Sequence, residues 1–281
     1  MVAITSQTMA DEIARQQRLA RSIADDQASI SSGKKLSTPS QDPQAWVQVS
    51  EIGRSQAQQA AWTANANYGQ ARANKASSNL NEMNTLFSRA RELMVNASSN
   101  SMDPAGKAAT IADLQGIRAS LSDLLNEKDY QGTPVFDDTN PTQVPVSRGL
   151  ALDVVGTRQS IESGVTVGAT TTSLDAILVG AINAVTSGVP ADIQNSLTAV
   201  EAGLNHVIIN QSVQGIRSDR LSAATDRLSD TSLSLSERRS KLEDTDLTTT
   251  LAGLQSKLLT LEAAQSAFAR INRQSLWDLI S

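Results

Sequence analysis

The chain has 281 residues, no cysteine, a single histidine (His206), 3% aromatic residues and a formal net charge of −5 from 24 basic and 29 acidic residues. Without cysteine it can form no disulfide, no thiolate nucleophile and no cysteine-ligated zinc site, and one histidine cannot supply a two-histidine metal site. A mildly acidic chain without a basic block lacks the electrostatic attraction that nucleic-acid binding needs. We therefore expect no cofactor, no metal and no nucleic-acid partner. The sequence shows no nucleophile–base pair, so we do not expect an enzyme.

The amino-terminal residues 1–26 lack the apolar core of a cleavable export signal. They contain Arg15, Arg18 and Arg21 but no run of about seven apolar residues. No segment of the chain approaches the roughly 18 consecutive apolar residues that a membrane span needs. The sequence thus predicts no membrane partner, and either a cytoplasmic location or export by a route that reads no such signal.

Helical periodicity dominates the chain up to about residue 131. The amino-terminal seam consists of Met9, Ile13, Ala20, Ile23 and Ile30. Gly33 is expected to end this helix, because glycine adopts the left-handed conformation that closes many helices. Further seams at residues 76–97 and 111–125 predict two more helices, the second with Asp103 as its N-cap and Pro104 in its first position.

The middle of the chain, at about residues 132–173, is rich in Gly, Thr, Val and Pro. Short β-branched runs between turn residues predict strands at 133–136, 150–155 and 165–167. About forty residues can hardly enclose a core of their own, so we expect hairpins and not a second sheet domain.

Leucines at heptad spacing mark the carboxyl-terminal part. The first series is Leu221, Leu228, Leu235 and Leu242, and a second series contains Leu247, Leu251, Leu254, Leu258 and Leu261, with Phe268 and Ile271 after a one-residue slip. Between them, Glu243, Asp244 and Asp246 are expected to form the acidic first turn of the last helix, with no partner in the local sequence. Neither terminal helix can bury its seam alone, so the two ends should pair with each other or with neighbouring subunits.

These patterns predict a mainly α fold, an elongated helical bundle with terminal coiled-coil helices and a small β-hairpin insertion. We expect residues 1–36 and 246–281 to form a discontinuous coiled-coil core domain. Residues 37–245 should form a helical rod domain that carries the insertion at about 132–173. The periodicity leaves open whether this is an ordinary antiparallel bundle or one specialised for assembly.

Several segments resemble the bacterial flagellin superfamily. They are ISSGKKL at 30–36, PSQDP at 39–43, NEKDYQG at 126–132, GIRSDRL at 215–221 and LEDTDL at 242–247. The first two resemble the family's amino-terminal helix end and the start of its next helix, and the last two resemble its carboxyl-terminal hallmarks. The ending SLWDLI at 275–280 is similar to that of members that join hook to filament, although Trp277 and Leu279 replace the usual Phe and Tyr.

The resemblance implies a structural subunit of the bacterial flagellum that joins hook to filament and assembles with itself through its terminal helices. It further implies an extracellular location after type III export without a cleaved signal, and as partners other copies of the chain, a neighbouring hook-associated protein, flagellin and an export chaperone. The residues expected to make assembly or chaperone contacts are Met9, Ile13, Ile23, Ile30, Leu247, Leu251, Leu254, Leu258, Leu261, Phe268, Ile271, Leu276 and Trp277.

Two alternatives remain open at this point. The chain could be a filament subunit, a flagellin, since a modest length without a large outer domain also suits short flagellins. It could also be a surface adhesin that presents residues 133–173, but Phe136 is the only aromatic residue there and charged residues are few.

Overall fold

A computed structural model describes residues 2–99, 102–129 and 132–277, with side chains for residue 7 and for residues 9–270 within these ranges. The described part contains seven helices and four strands. The helices are α1 Val2–Ser32, α2 Pro43–Ser99, α3 Pro104–Asn126, α4 Arg158–Glu162, α5 Leu174–Ser187, α6 Pro190–Glu243 and α7 Leu247–Trp277. The strands are β1 Gln143–Ser147, β2 Leu150–Asp153, β3 Ser163–Val167 and β4 Thr170–Ser173. The predicted mainly α fold is confirmed.

The chain forms two compact units. One consists of residues 1–57 and 232–281, and the other of residues 58–231. Helices α2 and α6 contribute residues to both, whereas α1 and α7 belong to the first unit alone. The predicted coiled-coil segments, 1–36 and 246–281, both lie within the first unit.

The second unit has a continuous apolar core built from α2, α3, α5, α6 and the hairpins. Its largest fully buried apolar side chains are Phe87, Phe136, Leu80, Met83, Met94, Leu114, Leu121, Ile161, Leu174, Leu178 and Leu221. Gly203 of α6 lies against the ring of Phe87, and a Cβ atom at this position would come within 2.7 Å of the ring carbon Cε1. The glycine therefore lets α6 approach α2 more closely than any larger residue could.

The hairpin prediction is confirmed, but its strand positions are partly wrong. β1 pairs with β2 and β3 with β4, each as an antiparallel two-stranded sheet. The predicted strand at 133–136 is absent, because only an isolated bridge between Lys128 and Pro134 forms there. Pro134 has no N–H group to donate to a ladder, and the apolar run reflects the burial of Val135 and Phe136. Strand β1 escaped prediction because Pro145 interrupts its pattern.

The predicted amino-terminal cap of α3 is confirmed. Asp103 has extended backbone angles, and its Oδ1 atom accepts a hydrogen bond from the N–H of Gly106 at 2.8 Å. Pro104 occupies the first helical position, where the missing N–H costs nothing.

Replacing Asp103 by Ala should lower the free energy of unfolding by about 1 kcal/mol, because one amide of the first turn loses its acceptor. Asp103→Asn, which keeps an acceptor oxygen, should cost less. Urea denaturation followed by circular dichroism measures both. The control is Asp123→Ala in the exposed last part of α3, which should not destabilise the protein. Equal stabilities of Asp103→Ala and the parent would contradict the capping role.

Candidate assembly surface

The two ends of the chain pair with each other through α1 and α7, which pack together within the first unit. Two contacts give their direction. The Lys257 ammonium lies 2.6 Å from Oδ2 of Asp26, and the N–H of Thr245 donates to the carbonyl of Gly33 at 2.9 Å. Later residues of α1 thus meet earlier residues of α7, so the two helices are antiparallel.

The predicted leucine seam of α7 divides into two sides. Leu254, Leu261 and Phe268, each seven residues from the next, are half-buried on the side that packs against α1. Leu247, Leu251 and Leu258 lie on the adjoining flank and are 44% to 52% exposed. We call this last group the α7 flank. A single partner helix covers one seam only, so the α7 flank stays open to solvent.

The predicted contact residues of α1 are also unequally buried. Ile23 is 7% exposed and Ile30 is half-buried, whereas Met9 and Ile13 near the beginning of the helix are exposed. Ile271, Leu276 and Trp277 belong to α7 by their backbone, but their side chains lie outside those described. The structure therefore brings the predicted residues to one helix pair and leaves several of them accessible.

Glu243, the last residue of α6, binds the residues that follow α1. Its carboxylate lies 3.0 Å and 3.2 Å from Nε and Nη2 of Arg239 and 3.1 Å from Nζ of Lys34, and the residue is only 7% exposed. Its carbonyl accepts the N–H of Lys35 at 2.7 Å. Gly33, at φ 70°, turns the chain at this point, as its predicted role as helix terminator requires.

The prediction that the acidic cluster forms the first turn of the last helix is wrong, because the first turn of α7 contains no acidic residue. Glu243 does not start the last helix but closes α6, and it has two cationic partners. Asp246 alone caps α7, where its Oδ1 atom accepts the N–H groups of Thr248 and Thr249 at 3.0 Å and 3.2 Å. The spacing of four residues between Arg239 and Glu243 was the signal in the sequence that could have revealed this pair.

The pKa of the Glu243 carboxyl is lowered from its ordinary value. The hydrogen bonds from Arg239 are the main cause, and Lys34 adds to them, so that together they outweigh burial, which acts in the opposite direction. The charged form of Glu243 is therefore favoured in the folded protein.

Acidification should weaken the interactions of the Glu243 carboxylate with Arg239 and Lys34. A carboxyl whose pKa is lower in the folded than in the unfolded chain stabilises the fold above its unfolded pKa, and this stabilisation disappears as the pH falls through the folded value. The ordinary value is 4.5. The midpoint of thermal unfolding should thus fall further between pH 7 and acidic pH in the parent than in Glu243→Gln, which has no titrating carboxyl. Equal losses in the two proteins would contradict this role.

The single histidine of the chain, His206, makes a contact between two helices. The Nε2 atom of His206 lies 3.0 Å from the carbonyl oxygen of Ile161, so this half-buried side chain joins α6 to α4. Among the described residues, no group of three or more His, Asp or Glu side chains could hold a metal ion. None of the helices described is both long and apolar enough to cross a membrane.

Two family models and two curated proteins match this chain. Residues 4–141 match the model of the bacterial flagellin N-terminal helical region, and residues 197–280 match that of the bacterial flagellin C-terminal helical region. Flagellar hook-associated protein 3 of Escherichia coli is 26% identical over 286 residues, which cover 89% of this chain and 90% of that protein. The Salmonella typhimurium protein of the same name is 30% identical over 107 residues, 38% of this chain and 34% of that protein.

Two solved structures share the fold. A flagellar hook-associated protein from Vibrio parahaemolyticus has a TM-score of 0.65 at 17% identity, covering 73% of this chain and 100% of that one. Flagellar hook-associated protein-3 from Legionella pneumophila has a TM-score of 0.61 at 13% identity, covering 69% of this chain and 98% of that one. At these identities the likeness concerns the fold.

Proposed function

The chain belongs to the bacterial flagellin family, and from this premise we propose that it is a structural subunit of the flagellum that joins the hook to the filament. The relative from Escherichia coli, a hook-associated protein, aligns over about nine-tenths of both chains, which supports the junction role. The sequence of residues 275–280 also resembles the carboxyl-terminal sequence of family members that join hook to filament.

The observation that carries an assembly role is the exposed α7 flank. Leu247, Leu251 and Leu258 repeat at the spacing of a helix–helix seam, yet α1 leaves them about half exposed. Burying a leucine side chain fully contributes about 1.5–3 kcal/mol of stabilisation. Further helices that pack against these three half-exposed leucines would therefore stabilise an assembly. We propose that neighbouring copies supply these helices, with residues 1–36 and 246–281 as the assembling domain and residues 37–245 as the rod domain.

The proposal extends to partners and location. Besides copies of itself, the subunit would contact a neighbouring hook-associated protein on one side and flagellin on the other. It would reach the outside of the cell through the flagellar type III apparatus, with a chaperone covering the apolar residues of α7 beforehand. Its work would be mechanical, without catalysis and without a cofactor.

Localising a labelled copy on cells tests the junction role. We expect one focus at the distal end of each hook, and we expect deletion mutants to shed filaments while export continues. Label along the whole filament, with loss of the filament's bulk subunit on deletion, would instead identify a flagellin. That second candidate is supported by the two family models, which describe the helical ends of flagellin. Normal motility with loss of surface attachment would indicate the adhesin.

A further inference from the structure

Helix α7 does not turn its most apolar side towards α1. Its leucine row consists of Leu247, Leu251, Leu254, Leu258 and Leu261, and hydrophobicity alone favours burying this row. The side that packs against α1 instead includes Thr250, Lys257 and Ala264, which are half-buried, while the α7 flank stays exposed. With 3.6 residues in each turn, the centre of the leucine row lies roughly 60° around the helix axis from the covered side.

Helix α1 is turned away from its apolar side as well. The predicted seam of α1 runs through Met9, Ile13 and Ala20, and all three are exposed. The less exposed side of the helix contains Gln16 and Asp26, which are half-buried, besides the apolar residues Leu19, Ile23 and Ile30. Each of the two helices therefore brings polar side chains to their contact and leaves apolar ones in solvent.

One ion pair accounts for the orientation of both helices. The Nζ atom of Lys257 lies 2.6 Å from Oδ2 of Asp26, and the two side chains are 34% and 20% exposed. Among the side chains that the structure describes, no other hydrogen bond or ion pair joins α1 to α7. Opposite charges attract each other more strongly where water is partly excluded. Turning either helix towards its apolar row would pull these two charges apart.

We infer that the Asp26–Lys257 pair selects the side of α7 that faces α1 and thereby keeps the α7 flank free. A polar contact within a helix–helix seam can fix the alignment of the helices while it lowers their stability. In this chain the loss of stability comes from the leucines that α1 leaves exposed. Without the pair, α7 would rotate and α1 would cover the α7 flank itself.

Cysteine labelling of the purified full-length chain measures this rotation, because the parent contains no cysteine. Ala264 is half-buried and follows Lys257 by seven residues, whereas Gln265 is exposed and follows Leu258 by seven. With N-ethylmaleimide, Gln265→Cys should react several-fold faster than Ala264→Cys. Adding Lys257→Met, which removes the charge but keeps a long side chain, should slow the reaction at 265 and accelerate the one at 264, each several-fold.

Two control variants separate rotation from other effects of the substitution. Arg270→Met removes a positive charge from an exposed position of the same helix and should change neither labelling rate. The exchanged pair, Asp26→Lys together with Lys257→Asp, brings opposite charges back to the same two positions. It should therefore return both labelling rates to those of the parent.

Opposite changes at the two positions are the result that only a rotation produces. Faster labelling at both positions in Lys257→Met would mean that the helices separate, so that the pair only stabilises their contact. That result would overturn the inference. Unchanged rates, equal rates at the two positions in the parent, or failure of the exchanged pair to restore the parent's rates would overturn it as well.

The consequence for assembly rests on the proposed function, in which neighbouring copies cover the α7 flank, and is measured separately. The fraction of cells that retain filaments should fall several-fold with Lys257→Met and recover with the exchanged pair. If the labelling rates change as expected but filaments are retained, the inference about the pair stands and the assembly role of the α7 flank fails. If the labelling rates do not change, the inference fails and the proposed function is left intact.

Discussion

Cells carrying Leu258→Asp should export the subunit but fail to keep their filaments. Leu258 belongs to the α7 flank and is 44% exposed in the free chain, so the monomer tolerates a polar side chain there. In the assembly the flank would be covered by neighbouring copies, and burying an unpaired carboxylate costs several kcal/mol at every repeated contact. Electron microscopy of the cells and immunoblots of the culture supernatant separate failed assembly from failed export.

The matched control is Ser256→Asp, which places the same charge on α7 at an exposed position away from the α7 flank. This variant should retain its filaments. Circular dichroism of both purified monomers should show the same helix content as the parent. Normal filaments in Leu258→Asp cells would rule out the α7 flank as an assembly surface.

Removing the carboxylate of Asp137 should strongly destabilise the second unit, by about 3–5 kcal/mol, because it leaves the charge of Arg72 buried without its partner. Arg72 is 7% exposed, and its Nη2 atom lies 3.1 Å from Oδ1 of Asp137 and 2.9 Å from the carbonyl oxygen of Pro134. Burial acts to lower the pKa of Arg72, but Tyr68 and Asp137 together raise it above its ordinary value. A guanidinium is not deprotonated in proteins, so Arg72 stays charged after Asp137→Ala and the cost cannot be avoided by losing the proton.

Urea denaturation measures the loss. The control is Glu201→Ala, which breaks the exposed pair with Arg91 and should cost no more than about 1 kcal/mol. The double variant Arg72→Met with Asp137→Ala should recover much of the stability, since it removes both charges together. A cost for Asp137→Ala no larger than that of the control would show that the buried pair is not what holds the loop after α3 against α2.

Local features of the fold were predictable. The helix end at Gly33, the cap at Asp103 and the hairpins of the middle segment each depend on a few consecutive residues whose backbone preferences are strong. The strand prediction failed at 133–136 because the local pattern there is ambiguous. A short apolar run is compatible both with a strand and with a loop buried against helices, and only the packing of Val135 and Phe136 distinguishes the two.

The candidate site was predictable in its composition and not in its arrangement. The heptad pattern by itself identified Leu247, Leu251, Leu254, Leu258 and Leu261 as one seam, because periodicity depends only on spacing along the helix. The segments that resemble the flagellin superfamily were likewise recognisable from the sequence alone.

Only the tertiary structure decided which side of each helix is covered, because burial depends on contacts between residues that are far apart in the chain. It placed Leu254 against α1 and left Leu258 open to solvent. It brought Lys34 to Glu243, 209 positions later, where no local pattern could pair them. It left Ile209 and Ile216 facing away from the core, although hydrophobicity alone favours burying them. The sequence thus determined the helices and their family, and the three-dimensional packing determined which of their apolar faces remain free for other subunits.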